Sequence, residues 1–580
     1  MTRLSLVMPL MTPTAPPKYA SLLRARQPAL VALALTAAAI LAILAVGSAR
    51  EVSASYSKFT AWQAEHWAYI TTDEAKMAQD AVTWRPPKRD ESNERCSWVI
   101  DTVTARDVAR PHELKRKKYL LLAESANAFY RATAGIFWQD FVQGGWGQFD
   151  LLQLGGTKDA LEDGSPLEKR STWTWVTGDQ HLSNFGAWRN RHGDVVYSIN
   201  DFDEAAVYDF QIDVWRLAVS IHNHAITNGL GEDRAAEIVM FFCDEYVRRL
   251  QEYVGNENAL TFEVTPDVAT GKLQQFLQRV EQAQSQHKQM SKFTYKDERS
   301  SERRLVKSED TALEAVSADV EEDLRRAFGK LRYGATMSKI GWRAKAWKDD
   351  YFRVLDVAAR VGSGVGSYGV SRYYVLLAGR DDVGPGEVVD GQGGVILDVK
   401  YEPARSAVAA VLNDEDAAWY RNLFTNEAMR AVEAQRRLTS YTDPFTGWAL
   451  INGKPYVVRQ RSPWKSSFSI GDLETFDDLA EYVAQIAVIT ATSHARGTYS
   501  ASPAQFKEVI AAVLGRYPAH KAWGASVARV AAEYREQVLL DFNCFQQFVA
   551  RNWTHSESNG KDGKPPTKSK KDERDDDDDR

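Results

Sequence analysis

Cysteine is scarce: only Cys96, Cys243 and Cys544 occur in 580 residues. They are widely spaced, with no CxxC pair and no Cys/His ligand set, so no zinc site is expected. One disulfide is open to the chain if the domain is exported, and the odd count leaves at least one thiol free. Excess charge is lacking too. Lys and Arg number 72 against 78 Asp and Glu, for a net charge of -6, part of it in the acidic tail. Nothing in that balance points to a nucleic-acid partner. No internal repeat is visible. Acidic residues are absent from positions 1–50.

That last absence frames what is there. Residues 28–49 form an uncharged apolar run about long enough to span a bilayer. Arg3, Lys18, Arg24 and Arg26 precede it, so 1–27 is expected in the cytoplasm and the remainder on the extracytoplasmic (periplasmic) side. "GSA" at 47–49 and "VSA" at 52–54 resemble signal-peptidase sites. Anchor and cleaved signal both remain open, and the length of the run favours an anchor. At 580 residues the chain can hold two to four domains or one large two-lobed unit. Its 17 Trp and 23 Tyr suit a large core or a cleft but select no ligand.

Residues 50–110 read as a polar extension. A helical stretch covers 112–142, within a part running from 111 to 280. Strands are expected at 171–176 and 194–199, with a helix at 213–226. Residues 281–345 are charged and read as a surface insert or linker. The part at 346–470 holds strands at 395–401 and 454–460 and an amphipathic helix over 413–440. Helices fill 471–554, and 555–580 is low-complexity and expected to be disordered.

Three stretches carry chemistry. "TGDQHLSNFG" (177–186) sets Asp179 five residues before Asn184, the separation a catalytic loop uses for a base and a metal-binding amide. His181 between them could orient the loop, contact phosphate or fill a structural slot. After one hairpin, "NDFDE" (200–204) supplies Asp201 and Asp203, and carboxylates with an amide suit hard Mg²⁺. A solvated turn is the plain alternative. Asp213 opens a helix, where it could cap or could hold the catalytic loop. The third stretch, "GSGVGSYG", puts Gly364, Gly366 and Gly369 between two β-rich segments, as in a phosphate-covering hairpin. Lys400 follows late in "VILDVKY", sharing a strand face with Asp398. Glu427 or Glu433 on the next helix could pair with it, and mid-helix Glu433 is preferred.

Together with "KKYLLLAESANAFYRATA", "INDFDEAAVYDFQIDVWRLAVSIHN", "DVKYEPARSA", "AVEAQRRL", "YVVRQ" and "TSHARG", these stretches resemble the domain-of-unknown-function family 2252 over about 105–550. Its motifs are similar to those of the protein-kinase-like superfamily, especially aminoglycoside and choline phosphotransferases. The resemblance implies an α+β, two-lobed, protein-kinase-like (aminoglycoside phosphotransferase-like) fold behind the N-terminal transmembrane or signal helix. Since the catalytic-loop block precedes the glycine block, that fold would be circularly permuted. It implies Asp179 as catalytic base, with His181 in the same loop, and Asn184 and Asp201 as Mg²⁺ ligands beside Asp203. Gly364, Gly366 and Gly369 would cover the phosphates of ATP or another nucleotide, and Lys400 and Glu433 would form the ion pair. Arg459 and Lys465 would bind anion, and Arg131 falls at a motif position, although Ala132 stands where the family usually has Gly. The expected activity is phosphoryl transfer to a hydroxyl or amine acceptor. A non-catalytic nucleotide- or phosphate-binding envelope protein on the same fold and a metal-dependent phosphohydrolase using Asp179, Asp201 and Asp203 are the alternatives.

Overall fold

Residues 92–553 are described by a computed structural model, apart from 109, 144–159, 162–163, 169, 329–331, 334–351, 363–369, 379–393, 403–406, 499–504 and 517–518. The apolar run at 28–49, the glycines at 364, 366 and 369, and the acidic tail lie outside these residues. Among the described residues no helix is long and apolar enough to cross a membrane. The architecture is mixed α+β.

The chain enters through α1 (Ser92–Ala105), inside the expected extension. This helix is tied to the body. Arg95 bonds Asp140 (2.9 and 2.7 Å) and Asp541 (2.9 and 2.7 Å), and Cys96 is disulfide-bonded to Cys544 with Cα atoms 5.8 Å apart. The stretch 112–142 is three helices rather than one: α2 (His112–Leu122), α3 (Ala126–Ala132) and α4 (Ala134–Val142). The break has a local cause. Ser125 takes an extended conformation and its hydroxyl accepts from the Ala128 N–H, which starts a new helix.

Two antiparallel pairs follow. Strand β1 (Trp173–Val176) pairs with β4 (Ala206–Asp209), and between them β2 (Phe185–Arg189) pairs with β3 (Val195–Ile199). The helices α5 (Gln211–Thr227), α6 (Glu232–Glu252) and α7 (Gly271–Ala283) then begin a helical body.

The described part of the charged segment 281–345, expected as a surface insert or linker, packs on a sheet. This part forms α8 (Gln286–Phe293), β5 (Thr294–Lys296), β6 (Arg303–Leu305), β7 (Leu313–Glu314) and α9 (Ala318–Ala327). Sparse apolar residues among the charges account for this. Met290, Phe293, Leu305 and Leu313 are buried in one cluster and Leu324 in another.

Both clusters lie against a six-stranded antiparallel sheet. It contains β7, β8 (Val354–Arg360), β9 (Arg372–Leu377) and β10 (Val395–Tyr401). After α10 (Asp414–Arg421) and α11 (Glu427–Leu438), β11 (Gly447–Ile451) and β12 (Lys454–Gln460) complete it in the order β11-β12-β10-β9-β8-β7. The helix expected over 413–440 is split because Asn413 and Asn426 each cap a new start. Val375, Leu397, Val399 and Val458 point to one side of the sheet; Tyr374, Leu376 and Ile396 point to the other, under Met290 and Phe293. Burial on both faces explains why "VILDV" is nearly continuous apolar sequence.

The short β13 (Ser466–Ser467) pairs with β2. Then α12 (Phe476–Arg496), α13 (Phe506–Leu514) and α14 (Ala519–Asn552) close the helical body. α12 is apolar nearly all round because it runs through the centre of the largest core.

Candidate active site

The chain leaves β1 at Val176 and turns at Gly178, whose φ is +72°. A Cβ here would meet the Glu204 carbonyl oxygen at 2.2 Å, so both the turn and the close approach require glycine. Asp213, at the third position of α5, holds the turn rather than its own helix end. Its Oδ2 accepts from Thr177 N–H (2.7 Å) and Thr177 Oγ1 (3.0 Å), and its Oδ1 from Gly178 N–H (2.8 Å). His494 Nε2 of α12 lies 3.2 Å from Asp213 Oδ2, and Tyr246 Oη lies 2.7 Å from His494 Nδ1. All three side chains are buried, so a polar relay runs from three helices into the loop.

Within the loop, Asn184 Nδ2 donates to the Asp179 carbonyl (2.7 Å). This fixes the amide so that its Oδ1 is left as an acceptor. Asp179 Oδ1 accepts from Arg216 Nε at 2.5 Å. Arg216 is fully buried, donates also to the Tyr130 carbonyl (2.8 Å) and lies over the Tyr130 ring at 4.3 Å. Asp179 retains 19% side-chain exposure. Burial pushes its carboxyl up to about 7, against the pull of Arg216. His181 is 3% exposed, and its Nδ1 accepts from the Ser183 N–H (3.2 Å). Burial, with Arg131 and Arg216 nearby, holds it well below the usual histidine range. It is thus a neutral ring held against the loop backbone.

The second acidic turn is braced from the other side of the cleft. Asp201 and Asp203 open to solvent, with Asp203 at 38% exposure. Lys400 of β10 reaches across and bonds Asp203 Oδ2. Surrounding protein and then Asp203 raise the Asp201 carboxyl. The same crowding would raise Asp203, but Lys400 outweighs it and holds Asp203 below the ordinary carboxylate range. Glu433, the expected partner of Lys400, makes no ion pair with it. The carboxylate that joins Asp203 and Asp201 in raising Lys400 is Glu402, two residues along the same strand path. Glu427 bonds Arg430 instead (2.8 Å).

Arg430 of α11 is 1% exposed and donates to the Asp203 carbonyl (2.6 Å) and the Ala205 carbonyl (2.5 Å). The turn is held further where Ala407 N–H bonds Glu204. Arg459 of β12 lies 3.4 Å from Asp398 Oδ2, and its charge also bears on Asp201 and Asp203. Asp179, Asn184, Asp201, Asp203, Lys400 and Arg459 are therefore linked, by hydrogen bonds or by the reach of their charges. Sequence reasoning missed Arg216, Arg430, Glu402 and His494. Arg216 did leave a signal: it interrupts the apolar run from Val214 to Val219, where a charge needs a buried partner.

Among the described residues no group of three or more His, Cys, Asp and Glu is gathered to hold a metal ion. What the cleft offers is two carboxylates, Asp201 and Asp203, with the Asn184 amide oxygen. That all-oxygen set fits Mg²⁺, which takes one or two carboxylates and completes its shell with water and substrate oxygens.

The described chain is thus an α+β protein in which an acidic turn after β3 meets Lys400 of the six-stranded sheet and is held by buried Arg430. It belongs to the family described as "Uncharacterized protein conserved in bacteria (DUF2252)", whose model matches residues 110–548. No curated protein and no solved structure matches the chain.

Proposed function

We propose that the protein is a kinase-like phosphotransferase, built on a circularly permuted protein-kinase-like fold, that moves a phosphoryl group from a Mg²⁺-bound phosphate donor such as ATP to a hydroxyl or amine acceptor. The observation that carries this reading is the ion pair from Lys400, on the third strand of the hairpin sheet, to Asp203 in the acidic turn. It joins, across 197 positions, the lysine that would pair with phosphate and the turn that would hold the metal. The antiparallel β8–β9 pairing around the glycine-rich stretch supports the same reading.

Asn184, Asp201 and Asp203 would hold Mg²⁺, which when bound supplies charge neutralisation on the phosphates. Lys400 would exchange Asp203 for a donor phosphate. Asp179 would take the proton of the acceptor on Oδ2, since Oδ1 is bonded to Arg216. Arg216 would keep that carboxylate oriented, and Asp213 with His494 would hold the loop that carries it. The Cys96–Cys544 bond supports an oxidising, extracytoplasmic location for the domain behind residues 28–49.

The test is Mg²⁺-dependent loss of the terminal phosphate of ATP, to water or to added acceptors, with Asp179→Asn alongside. Turnover by the wild type, lost in a variant that still binds ATP, supports the reading. Turnover unchanged in Asp179→Asn removes Asp179 from the chemistry. Binding without turnover in either protein favours the non-catalytic alternative.

A further inference from the structure

The first helix, α1, lies before residues 110–548, the part that the family model matches. It is nonetheless fastened to the body along its whole length. At its start, the Cys96–Cys544 bond and the bonds from Arg95 to Asp140 and Asp541 tie it to α4 and α14. Further along, Val99 and Val103 are buried in one cluster with Phe129, Ile136 and Phe545. Beyond its end, buried Asp107 is bonded to Lys118 (3.0 and 2.9 Å) and to Arg110 (2.7 Å). The backbone that carries Arg106 is therefore fixed on both sides.

Arg106 Nη1 bonds Glu204 Oε1 at 3.2 Å. Glu204 closes the acidic turn next to Asp203 and joins several elements there. Its other carboxylate oxygen accepts from the Ala407 N–H. Its carbonyl packs against Gly178, at the start of the loop that carries Asp179. The Gly178 carbonyl in turn accepts from Trp138 Nε1 of α4 (2.7 Å). Arg106 reaches Glu204 past the first turn of that same helix. A Cβ added at Gly135 would lie 3.2 Å from Arg106 Nη2 and 3.4 Å from Cζ, so glycine leaves the guanidinium its path.

We propose that α1 is an arm of the candidate site, in which Arg106 clasps the acidic turn through Glu204 and the Cys96–Cys544 bond anchors the arm at its far end. Arg106 is a positioning residue, since it acts on Asp201 and Asp203 only by holding the turn that carries them. A lone ion pair half open to water is weak, because two long side chains must be ordered to make it. The Arg106 side chain is 45% exposed, but its backbone is already fixed, so less freedom is lost on pairing. Because Glu204 also packs on Gly178, the clasp bears on both acidic stretches at once.

The test is backbone hydrogen exchange of the full chain, with the urea midpoint measured alongside. The reporters are the amides of Ala205, bonded to the Phe202 carbonyl (3.1 Å), and of Ala407, bonded to Glu204. Arg106→Gln is expected to speed their exchange about two- to fivefold, the scale of one partly exposed ion pair, and to leave the midpoint unchanged. Arg106→Lys, which keeps the charge, should restore most of the protection. Cys96→Ser, which frees the far end of α1, should speed the same two amides. Unchanged exchange in Arg106→Gln or in Cys96→Ser would overturn the proposal. So would exchange as fast in Arg106→Lys as in Arg106→Gln, because the pair's charge would then not be the cause. Faster exchange throughout the body of Arg106→Gln, with a lowered midpoint, would overturn it too, as a loss of stability and not a release of the turn. No ligand enters the measurement, so either result leaves the phosphotransferase reading to its own test.

Discussion

Replacing Asp213 by Ala should unfasten the loop that carries Asp179. In the wild type the Asp213 carboxylate receives two backbone N–H groups, from Thr177 and Gly178, and the Thr177 hydroxyl, at 2.7 to 3.0 Å. Asp213 is fully buried and Thr177 is 1% exposed, so water cannot take over these bonds. Each stranded buried donor costs about 1–3 kcal/mol. Two backbone donors and a hydroxyl that can partly rotate away give a loss of about 3–6 kcal/mol. Asp213→Asn keeps one acceptor but turns an NH₂ group towards donors, and should cost roughly half as much. Urea unfolding of both variants, with the slope m held common, reads the loss as a lower midpoint. The order should be wild type, then Asn, then Ala. An Ala variant within about 1 kcal/mol of wild type would refute the reasoning, because the loop would then be held by something other than Asp213.

Arg430→Ala should destabilise by about 3–5 kcal/mol, since it removes one of the two cations beside buried Glu402 and leaves two turn carbonyls without a donor. Arg430→Lys should not restore stability, because one ammonium cannot span the positions the guanidinium fork reaches; equal midpoints for Lys and wild type would contradict this. A general base must be ionised, and burial raises Asp179 to about 7, so kcat/KM for phosphoryl transfer should rise with pH through about 7 and level off above it. A flat profile between pH 5 and 9 (about two units either side) would remove Asp179 as the base. Thiol titration of the unfolded, oxidised protein should find one thiol, Cys243, and three after reduction. Reduction should also lower the unfolding midpoint, because the bond closes a loop spanning a sequence separation of 448.

Much of the fold was legible because its signals are local. The strand at 454–460 was read with the bounds it has, and 395–401 likewise, since β-branched residues, and alternation in the first, mark them directly. Helix breaks were less visible. Ser125 and Asn426 stop and restart helices through single capping bonds, and neither interrupts the apolar period enough to announce itself. How the charged segment after residue 281 packs was hidden for a related reason. Its few apolar residues matter only once the sheet they cover exists.

At the site, the Asp179–Asn184 spacing and the Asp201–Asp203 turn were readable because both groups are close in sequence. Lys400 was readable from its strand, but its partner was not. Glu433 looked suitable on its helix, yet the lysine meets Asp203, a contact across 197 positions. Arg216 and Arg430 act the same way. Each is a charge inside a helix whose partner lies in a distant loop, and no periodicity links the two.

The most direct measurement is the thermal unfolding of the full chain with and without Mg²⁺ and ATP or tripolyphosphate, for wild type and Asp201→Asn. A ligand at about 100 times its dissociation constant adds roughly 2.7 kcal/mol to stability. A Mg²⁺-dependent rise in the wild-type midpoint, lost in Asp201→Asn, is the expected result. No rise with either phosphate compound in a cooperatively unfolding wild type, or a rise that Asp201→Asn leaves intact, would contradict a metal–phosphate site in this cleft.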